Sequence, residues 1–172
     1  ERSILRHWQK EDLAPFAELN GCPKVCEFLL SPMNKDEADA MVGRIKDHFL
    51  KHGYGLFAVE RKDTNEFIGF TGLSNPPFEA HFMPAVEIGW RLALQHHGKG
   101  FATEAATAVK DYAFNTLKLE EIVSFTVVDN LASRRVMEKI GMTHDERDDF
   151  DHPILDKGHK LSRHALYRLK ND

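Results

Sequence analysis

The spacing of hydrophobic residues changes along the chain and divides it into strands and helices. Alternating or β-branched apolar positions predict strands at residues 4–6, 56–60, 67–73, 86–92, 121–128 and 164–169. Helical spacing predicts helices at residues 12–19, 35–52, 101–117 and 131–140. A further strand is expected around residues 143–148.

Local signals fix several of these boundaries. Asn34 and Glu37 have the spacing of a capping box at the start of the second helix, and Gly53 follows its last turn. The order β, α, α, β, β, β, α, β, α, β predicts an α/β fold, with a mixed, mostly antiparallel sheet flanked by helices on both faces. We expect one domain over residues 1–172.

Composition and charge narrow the classes of function. The net charge of -4 and the pI near 6.2 argue against a nucleic-acid-binding protein. No apolar run is long enough to span a membrane and the first residues do not read as a signal peptide, so we expect a cytoplasmic protein. Cys22 and Cys26 are expected to be buried or incidental thiols, and His48 and His52 to favour a helix C-terminus rather than bind a metal.

The most informative stretch is residues 86–105. A strand leads into a turn containing Gly98 and Gly100, and the turn opens an alanine-rich helix. The first turn of a helix has backbone N–H groups without partners and a positive dipole end. Glycines let a phosphate approach those groups closely. The pattern therefore predicts a binding site for a pyrophosphate.

The motif in this stretch resembles a known signature. Gln95-x-x-Gly98-x-Gly100-x-Ala102, between a strand and a helix, is similar to the acetyl-CoA signature of the GNAT superfamily of N-acetyltransferases. Gly-Trp-Arg-Leu (residues 89–92) and residues 98–105 resemble the branch with the RimJ/RimL ribosomal-protein N-terminal acetyltransferases. A Walker A loop would need Ser or Thr after Lys99, and a Rossmann motif a third glycine at Thr103.

The resemblance implies acetyl-CoA as cosubstrate and no metal. The amides around the glycine turn would hold the pyrophosphate, with the charge of Lys99 adding attraction, and the main chain of Trp90 and Leu92 would bind the pantetheine arm. A main-chain N–H there would also polarise the thioester carbonyl. The expected cosubstrate-binding residues are Trp90, Leu92, Gln95, His97, Gly98, Lys99, Gly100, Phe101, Ala102, Thr103, Asn130, Ser133 and Arg134.

A second signature, residues 130–142, implies an acid for the leaving thiolate. Asn130 can cap the following helix, bond the pantetheine, or do both. Many superfamily members have a tyrosine where this chain has Met137, which cannot donate a proton. Ser133, the position attributed this role in the RimJ/RimL branch, is the candidate acid; a capping role is the alternative reading.

The candidate general base is Glu87. It precedes the expected acetyl position on the central strand, and burial could raise its pKa enough to accept a proton from an ammonium group. A solvated or ion-paired strand glutamate is the alternative. Glu104 is less attractive because the helix dipole favours an acid there, and His96 and His97 should lie near the phosphates.

The sequence thus predicts an enzyme that transfers an acetyl group directly from acetyl-CoA to a primary amine. The acceptor can be a protein N-terminus or a small molecule, and the acidic residues 145–151 are expected to be solvated, although they could attract a cationic acceptor. A non-catalytic CoA-binding sensor or interaction module is the first rival, and a nucleotide-binding protein using the same loop is the second. No nucleic-acid or membrane partner is expected, and the protein is expected to be a monomer or homodimer.

Overall fold

A computed structural model describes residues 1–171. It contains eight strands and four α-helices, with short 3-10 turns between some of them. The strands are β1 Ser3–Arg6, β2 Leu56–Arg61, β3 Phe67–Ser74, β4 Glu87–Leu92, β5 Glu121–Val127, β6 Thr143–His144, β7 Phe150–Asp151 and β8 Arg163–Lys170. The helices are α1 Leu13–Gly21, α2 Lys35–His52, α3 Phe101–Asp111 and α4 Leu131–Lys139.

All strands join one sheet in the order β1-β2-β3-β4-β5-β8-β6, with β7 also paired to β8. Among the described strands, β4 and β5 form a parallel pair and every other pair is antiparallel. The predicted mixed, mostly antiparallel sheet is confirmed.

Helices cover both faces of the sheet, as predicted. Helices α1 and α2 pack on one face, where Phe16 and Val42 contact Phe70 of β3 in a shared core. Helices α3 and α4 pack on the other face, where Val109 and Met137 share a core with Ile88 of β4. Consecutive side chains of a strand point to opposite faces, so β4 contributes to both layers.

The predicted ends of α2 are confirmed in atomic detail. The Asn34 side chain accepts a hydrogen bond from the Glu37 amide at 2.9 Å, and the Glu37 carboxylate accepts from the Asn34 amide at 2.8 Å. At the other end Gly53 adopts a left-handed conformation with φ 77°. Glycine has no Cβ to disfavour that conformation, so it ends the helix.

Three elements differ from the sequence prediction. Helix α3 ends at Asp111 and continues as a π-helical turn over residues 112–116. The strand expected at residues 143–148 is only two residues long, because residues 146–148 form a 3-10 turn. Strand β7 was not predicted, since two residues are too few to show a period.

The acidic segment 145–151 is solvated in part: Asp145, Glu146 and Asp151 are exposed, as predicted, whereas Asp148 and Asp149 are half-buried. Asp148 bonds to Arg168 at 2.8 Å, and Asp149 accepts a bond from His144 at 2.7 Å and from the Leu166 amide. Phe150 is buried. Asp148 and Asp149 therefore make contacts within the protein, which argues against the prediction that they attract a cationic acceptor.

The two cysteines and the pair His48 and His52 make contacts within the fold. Cys22 and Cys26 are free thiols, and Cys26 is buried as expected. The two ring nitrogens of His48 face the Tyr54 carbonyl and the Asn75 side chain. Within residues 1–171 no group of three or more His, Cys, Asp or Glu side chains could hold a metal ion. None of the helices in this range is both long and apolar enough to cross a membrane.

Candidate active site

The sheet opens between β4 and β5. The two strands pair at Glu87 and Val123, where the Val123 amide donates to the Val86 carbonyl at 2.9 Å. One step further, the Ser124 hydroxyl donates to the Ile88 carbonyl at 2.8 Å, and no later pair joins these strands in the described part of the chain. A side-chain hydrogen bond thus takes the place of the next main-chain bond between the strands, and β4 and β5 diverge beyond it.

The gap exposes one edge of β4. The backbone N–H and C=O groups of successive residues point to alternate edges of a strand. Those of Trp90 and Leu92 therefore point toward β5, as those of Val86 and Ile88 do. The Leu92 carbonyl already accepts a bond from the His97 ring at 2.8 Å, whereas Trp90 has no pair on this edge among the described strands. The sequence prediction named both residues for the pantetheine arm, and Trp90 is the more available.

A turn of left-handed glycines follows β4 and starts α3. Gly98 has φ 71° and Gly100 has φ 83°, and Gly100 is the N-cap of the helix. In the described residues, none of the six consecutive amides of residues 98–103 donates to a protein acceptor; the first occupied amide is that of Glu104, bonded to the Gly100 carbonyl at 3.0 Å. The turn is therefore an open set of donors at the positive end of a helix.

His97 stands at the border of this set. Its amide donates to the Leu94 carbonyl at 3.1 Å, so its backbone is occupied, in contrast to the prediction that it would join the pyrophosphate site. Its ring instead ties the loop to the end of β4. Gln95 and Lys99 are exposed on the same loop, while Phe101 is buried and Ala102 and Thr103 lie partly exposed in the first helical turn.

Cationic groups surround the turn. Arg2 donates to the Lys99 carbonyl at 3.1 Å, and its guanidinium lies 4.3 Å from the centre of the Phe101 ring. Arg2, Arg61, Lys62 and Lys99 line a cavity of about 410 Å³ beside the loop, together with Asp63, which is ion-paired with Arg61, so the lining carries a net positive charge. This positive surface would attract the negatively charged phosphates of a nucleotide-containing cosubstrate.

Glu104 has a structural role. Its carboxylate accepts from the amides of Arg2 and Ser3 at 2.6 and 3.1 Å and so fixes β1 to α3. Burial acts to raise the pKa of Glu104, but the bonds from Arg2 and Ser3 outweigh it and the pKa is lowered. A carboxylate held in its ionised form in this way is a weak proton acceptor, so Glu104 is a poor candidate base.

The second predicted signature lies at the start of α4. The Asn130 side chain accepts from the Ser133 amide at 3.3 Å and donates to the Thr126 hydroxyl at 2.9 Å. Asn130 therefore caps the helix, and one N–H of its amide group is left for a ligand. Ser133 is partly buried, and its hydroxyl has no described partner. Met137 is buried in the core.

Arg134 has partners within the protein. Its guanidinium donates to the Val128 carbonyl at 2.9 Å and to the Tyr167 hydroxyl at 3.1 Å. Tyr167 in turn donates to Glu138 at 3.1 Å. These bonds fasten α4 to β5 and β8, and they leave Arg134 fewer donors for the cosubstrate than the sequence prediction assumed.

Glu87 has the properties of a general base. It is partly buried, and within residues 1–171 its carboxylate has no cationic partner, only a long bond of 3.4 Å from the Ser74 hydroxyl. Burial raises its pKa to about 7, and the bond from Ser74 opposes the shift slightly. A carboxyl group with this pKa can exchange protons at neutral pH.

Glu87 and the helix that carries Ser133 lie on different faces of the sheet. Glu87 shares its face of β4 with Gly89 and Arg91, whereas α4 packs on the face of Ile88. No hydrogen bond joins the two candidates. An acid and a base on opposite sides of the reacting carbonyl suit a direct transfer, in which one group serves the amine and the other serves the thiolate.

Two residues of the Glu87 face were given no role by sequence reasoning. A Cβ built on Gly89 would meet only Glu87 Oε1, at 3.8 Å, among the described atoms within 4 Å, so the space above Gly89 is open. Arg91 is partly buried on the same face and donates to the side-chain oxygen of Asn20. The alternation of the strand could have placed both beside Glu87.

Comparisons with known proteins agree with this geometry. Residues 2–143 match the family model described as acetyltransferase (GNAT) domain. The chain is 38% identical over 170 residues to a protein named uncharacterized N-acetyltransferase YnaD of Bacillus subtilis, covering 98% of this chain and 94% of that one. The crystal structure of an acetyltransferase from Agrobacterium tumefaciens is 28% identical, with a TM-score of 0.78 over 98% of this chain and 91% of that chain.

More distant structures share the fold. A spermidine N-acetyltransferase from Vibrio cholerae, in complex with CoA and spermine, is 20% identical with a TM-score of 0.76, covering 99% of this chain and 96% of that chain. A ribosomal-protein-S5-alanine acetyltransferase from Vibrio fischeri is 19% identical with a TM-score of 0.75, covering 100% and 94%.

A mixed sheet that opens beside a glycine turn and a helix start defines a class of acyl-CoA-dependent transferases. This chain belongs to the GNAT family of acetyltransferases, and it is an N-acetyltransferase.

Proposed function

We propose that the protein transfers the acetyl group of acetyl-CoA directly to a primary amine in the gap between β4 and β5. The proposal rests on two neighbouring sets of backbone N–H groups that have no partner within the described protein. The open amides of residues 98–103 follow directly on the unpaired edge of β4. A ligand with a pyrophosphate and an extended amide-containing arm fits both sets at once.

Three groups divide the chemistry. The Trp90 amide polarises the thioester carbonyl, and Glu87 accepts a proton from the ammonium form of the acceptor. The amine nitrogen then forms the new C–N bond as the C–S bond breaks, and Ser133 donates a proton to the departing thiolate. The second proton of the amine nitrogen, passed on by solvent, restores the Ser133 hydroxyl. Because no cysteine–histidine pair lies in the gap among the described residues, we propose direct attack rather than an acetyl-enzyme.

The identity of the acceptor and the branch of the family to which the chain belongs are also part of the proposal. A protein N-terminus and a small-molecule amine are both compatible with an open space above Gly89. The relationship to the RimJ/RimL branch rests on residues 89–92 and 98–105, with Ser133 in place of a tyrosine acid. A cytoplasmic location and a monomeric or dimeric state remain predictions.

Two measurements test the proposal. Calorimetry should detect acetyl-CoA binding, and release of free thiol should depend on an added amine. Binding without turnover for every amine would support a non-catalytic CoA-binding module instead. Tighter binding of ATP or NAD than of CoA would support a nucleotide-binding protein.

The glycine turn offers a matched pair of variants. Gly98→Ala and Gly158→Ala both place alanine at a positive φ, 71° and 86°, with no other described atom within 4 Å of the new Cβ. Both should lower stability by about 1 kcal/mol. Only Gly98→Ala should weaken acetyl-CoA binding, by about 10-fold, because its methyl group projects toward the phosphates. Equal affinities would contradict the assigned site.

A further inference from the structure

Arg91 is a cation without a counter-ion. One of its N–H groups donates to the neutral Asn20 side chain, and its guanidinium lies 5.3 Å from the centre of the Phe70 ring. Within residues 1–171 no carboxylate is in ion-pair distance of it. Burial lowers the pKa of Arg91, and a weak effect of Cys26 opposes this. A partly buried arginine normally has an acidic partner.

The surroundings hold this guanidinium in one place. Asn20 is fully buried, and its amide group donates to the Phe16 carbonyl at 2.8 Å, which directs its oxygen toward Arg91. The Asn20 carbonyl also accepts from the Met33 amide at 2.8 Å. Helix α1 and the segment after it therefore orient Arg91, while its other donors stay without a described partner.

Arg91 lies on the same face of β4 as the space proposed for the acceptor. Glu87, Gly89 and Arg91 share one face of β4, with the candidate base at one end and the guanidinium at the other. Gly89 leaves the floor between them open, since only Glu87 Oε1 would lie near a Cβ there, at 3.8 Å. Four residues along a strand span roughly 13 Å between Cα atoms, and a small acceptor with an amine at one end and a carboxylate at the other would lie between the two side chains.

We propose that Arg91 binds a carboxylate of the acceptor, so that the substrate is an amine that carries a carboxylate, as an amino acid does. The inference rests on the proposed acetyl transfer and names its substrate class. A guanidinium binds a carboxylate through two parallel charge-assisted bonds, and the partial burial of Arg91 strengthens them. Polyamines, which carry only positive charge, would be repelled from this end of the site.

The test uses acceptors in matched pairs that differ only by the carboxylate. Phenylalanine is compared with phenethylamine, leucine with isoamylamine, and γ-aminobutyrate with propylamine; spermidine and a C-terminally amidated peptide complete the panel. Aromatic acceptors are included because Phe125 follows Val123 on β5, on the same side as Glu87. The readout is kcat/KM from thiol release, with separate kcat and KM values.

We expect at least one pair to favour the carboxylate acceptor by about 10-fold or more in the unchanged protein. Arg91→Gln should abolish that preference, mainly by raising KM for the acid, and should have a much smaller effect on the plain amine. Arg91→Lys should retain part of the preference. Glu87→Gln should instead lower kcat for acid and amine alike. Unchanged acetyl-CoA affinity in the Arg91 variants shows that they are folded.

The possible failures are distinguishable. Plain amines, spermidine or the amidated peptide acetylated as well as or better than every carboxylate acceptor would overturn the role of Arg91 and leave acetyl transfer standing. A preference for the acid that survives in Arg91→Gln would also overturn it. Absence of turnover with every amine, in a protein that binds acetyl-CoA, would overturn the proposed function and this inference with it.

Discussion

The proposed general base is a carboxyl group that is unfavourably placed for ionisation. Glu87 lies beside the gap with a hydroxyl as its described partner, so desolvation holds its pKa near 7. Glu104, only a short distance along the chain, receives bonds from Arg2 and Ser3 and its pKa is lowered. The same residue type is thus a candidate base in one environment and a structural anchor in the other.

The first prediction concerns the dependence of turnover on pH. With both substrates saturating, kcat should rise through a midpoint near pH 7 as Glu87 loses its proton, and Glu87→Gln should lower kcat by about 100-fold and remove this rise. Glu79→Gln, which changes an exposed glutamate, is the control. A profile that keeps its midpoint in Glu87→Gln would identify another group as the base.

The second prediction concerns stability and follows from the same raised pKa of Glu87. The folded state retains the Glu87 proton up to about pH 7, whereas the unfolded chain loses it near the ordinary value of 4.5. The free energy of unfolding should therefore fall as the pH rises between these values. Glu87→Gln should raise it at pH 8, by on the order of 2 kcal/mol, and leave it unchanged at pH 4. Urea unfolding at both pH values measures this.

Individual residues differ in how far the sequence reveals them. The capping roles of Asn34 and Asn130 follow from local spacing and are confirmed. The partners of Arg134 and Arg91 lie far away in the chain, at Tyr167 and Asn20, so no local pattern could name them. Whether Arg134 is occupied or Arg91 is unpaired is a property of the folded arrangement alone.

At the scale of elements, β3 and β4 approach unusually closely at Gly69. This residue has φ 143°, and a Cβ there would lie 2.1 Å from the Arg91 carbonyl oxygen and 2.7 Å from Leu92 Cα. The backbone of β3 is irregular here, and its pairing with β2 shifts at Val59 and Glu60. The approach sets the position of the second half of β4, where the gap opens.

The third prediction compares two glycine substitutions. Gly69→Ala should lower the free energy of unfolding by more than about 3 kcal/mol, because β4 must move to admit the methyl group. Gly43→Ala, in the exposed interior of α2 with no described atom within 4 Å, should raise it by about 0.5–1 kcal/mol. Thermal unfolding of both variants tests this. A tolerated Gly69→Ala would show that the strands have room to separate.

Long periodic elements are predictable and short irregular ones are not. The boundaries of α2 and of the β2–β3 hairpin follow from capping residues and alternation, and they agree with the structure to within a residue or two. The π-helical turn after α3 packs against the core through the buried Ala113, and the two-residue strand β7 packs through the buried Phe150. Local preference is too weak to specify such segments.

At the scale of the whole molecule, the sheet consists of two parts joined at the Glu87–Val123 pair and by the helices on its faces. The first part contains β1 to β4, and the second contains β5 to β8. A sequence can predict that β4 and β5 are both central strands. It cannot predict that they diverge, because that depends on a hydroxyl, that of Ser124, taking the place of a ladder bond.

The fourth prediction tests the gap directly by hydrogen exchange. Saturating acetyl-CoA should slow amide exchange in β4 near Trp90 and in residues 98–103 by about 10-fold or more, since bound ligand covers these donors. Residues 58–60 of β2 are paired with β1 on one edge and with β3 on the other, and they serve as the internal control. Uniform slowing along the chain would indicate general stabilisation rather than occupation of the gap.

The position of β8 has a consequence for biogenesis. This strand lies between β5 and β6 and also pairs with β7, yet its residues 163–170 come last among the strands in the chain. During translation the strands of the first part of the sheet, β1 to β4, can pair in chain order, while the edge of β5 stays unpaired until β8 leaves the ribosome. That interval is when the nascent chain is most exposed to misassembly and most dependent on chaperones.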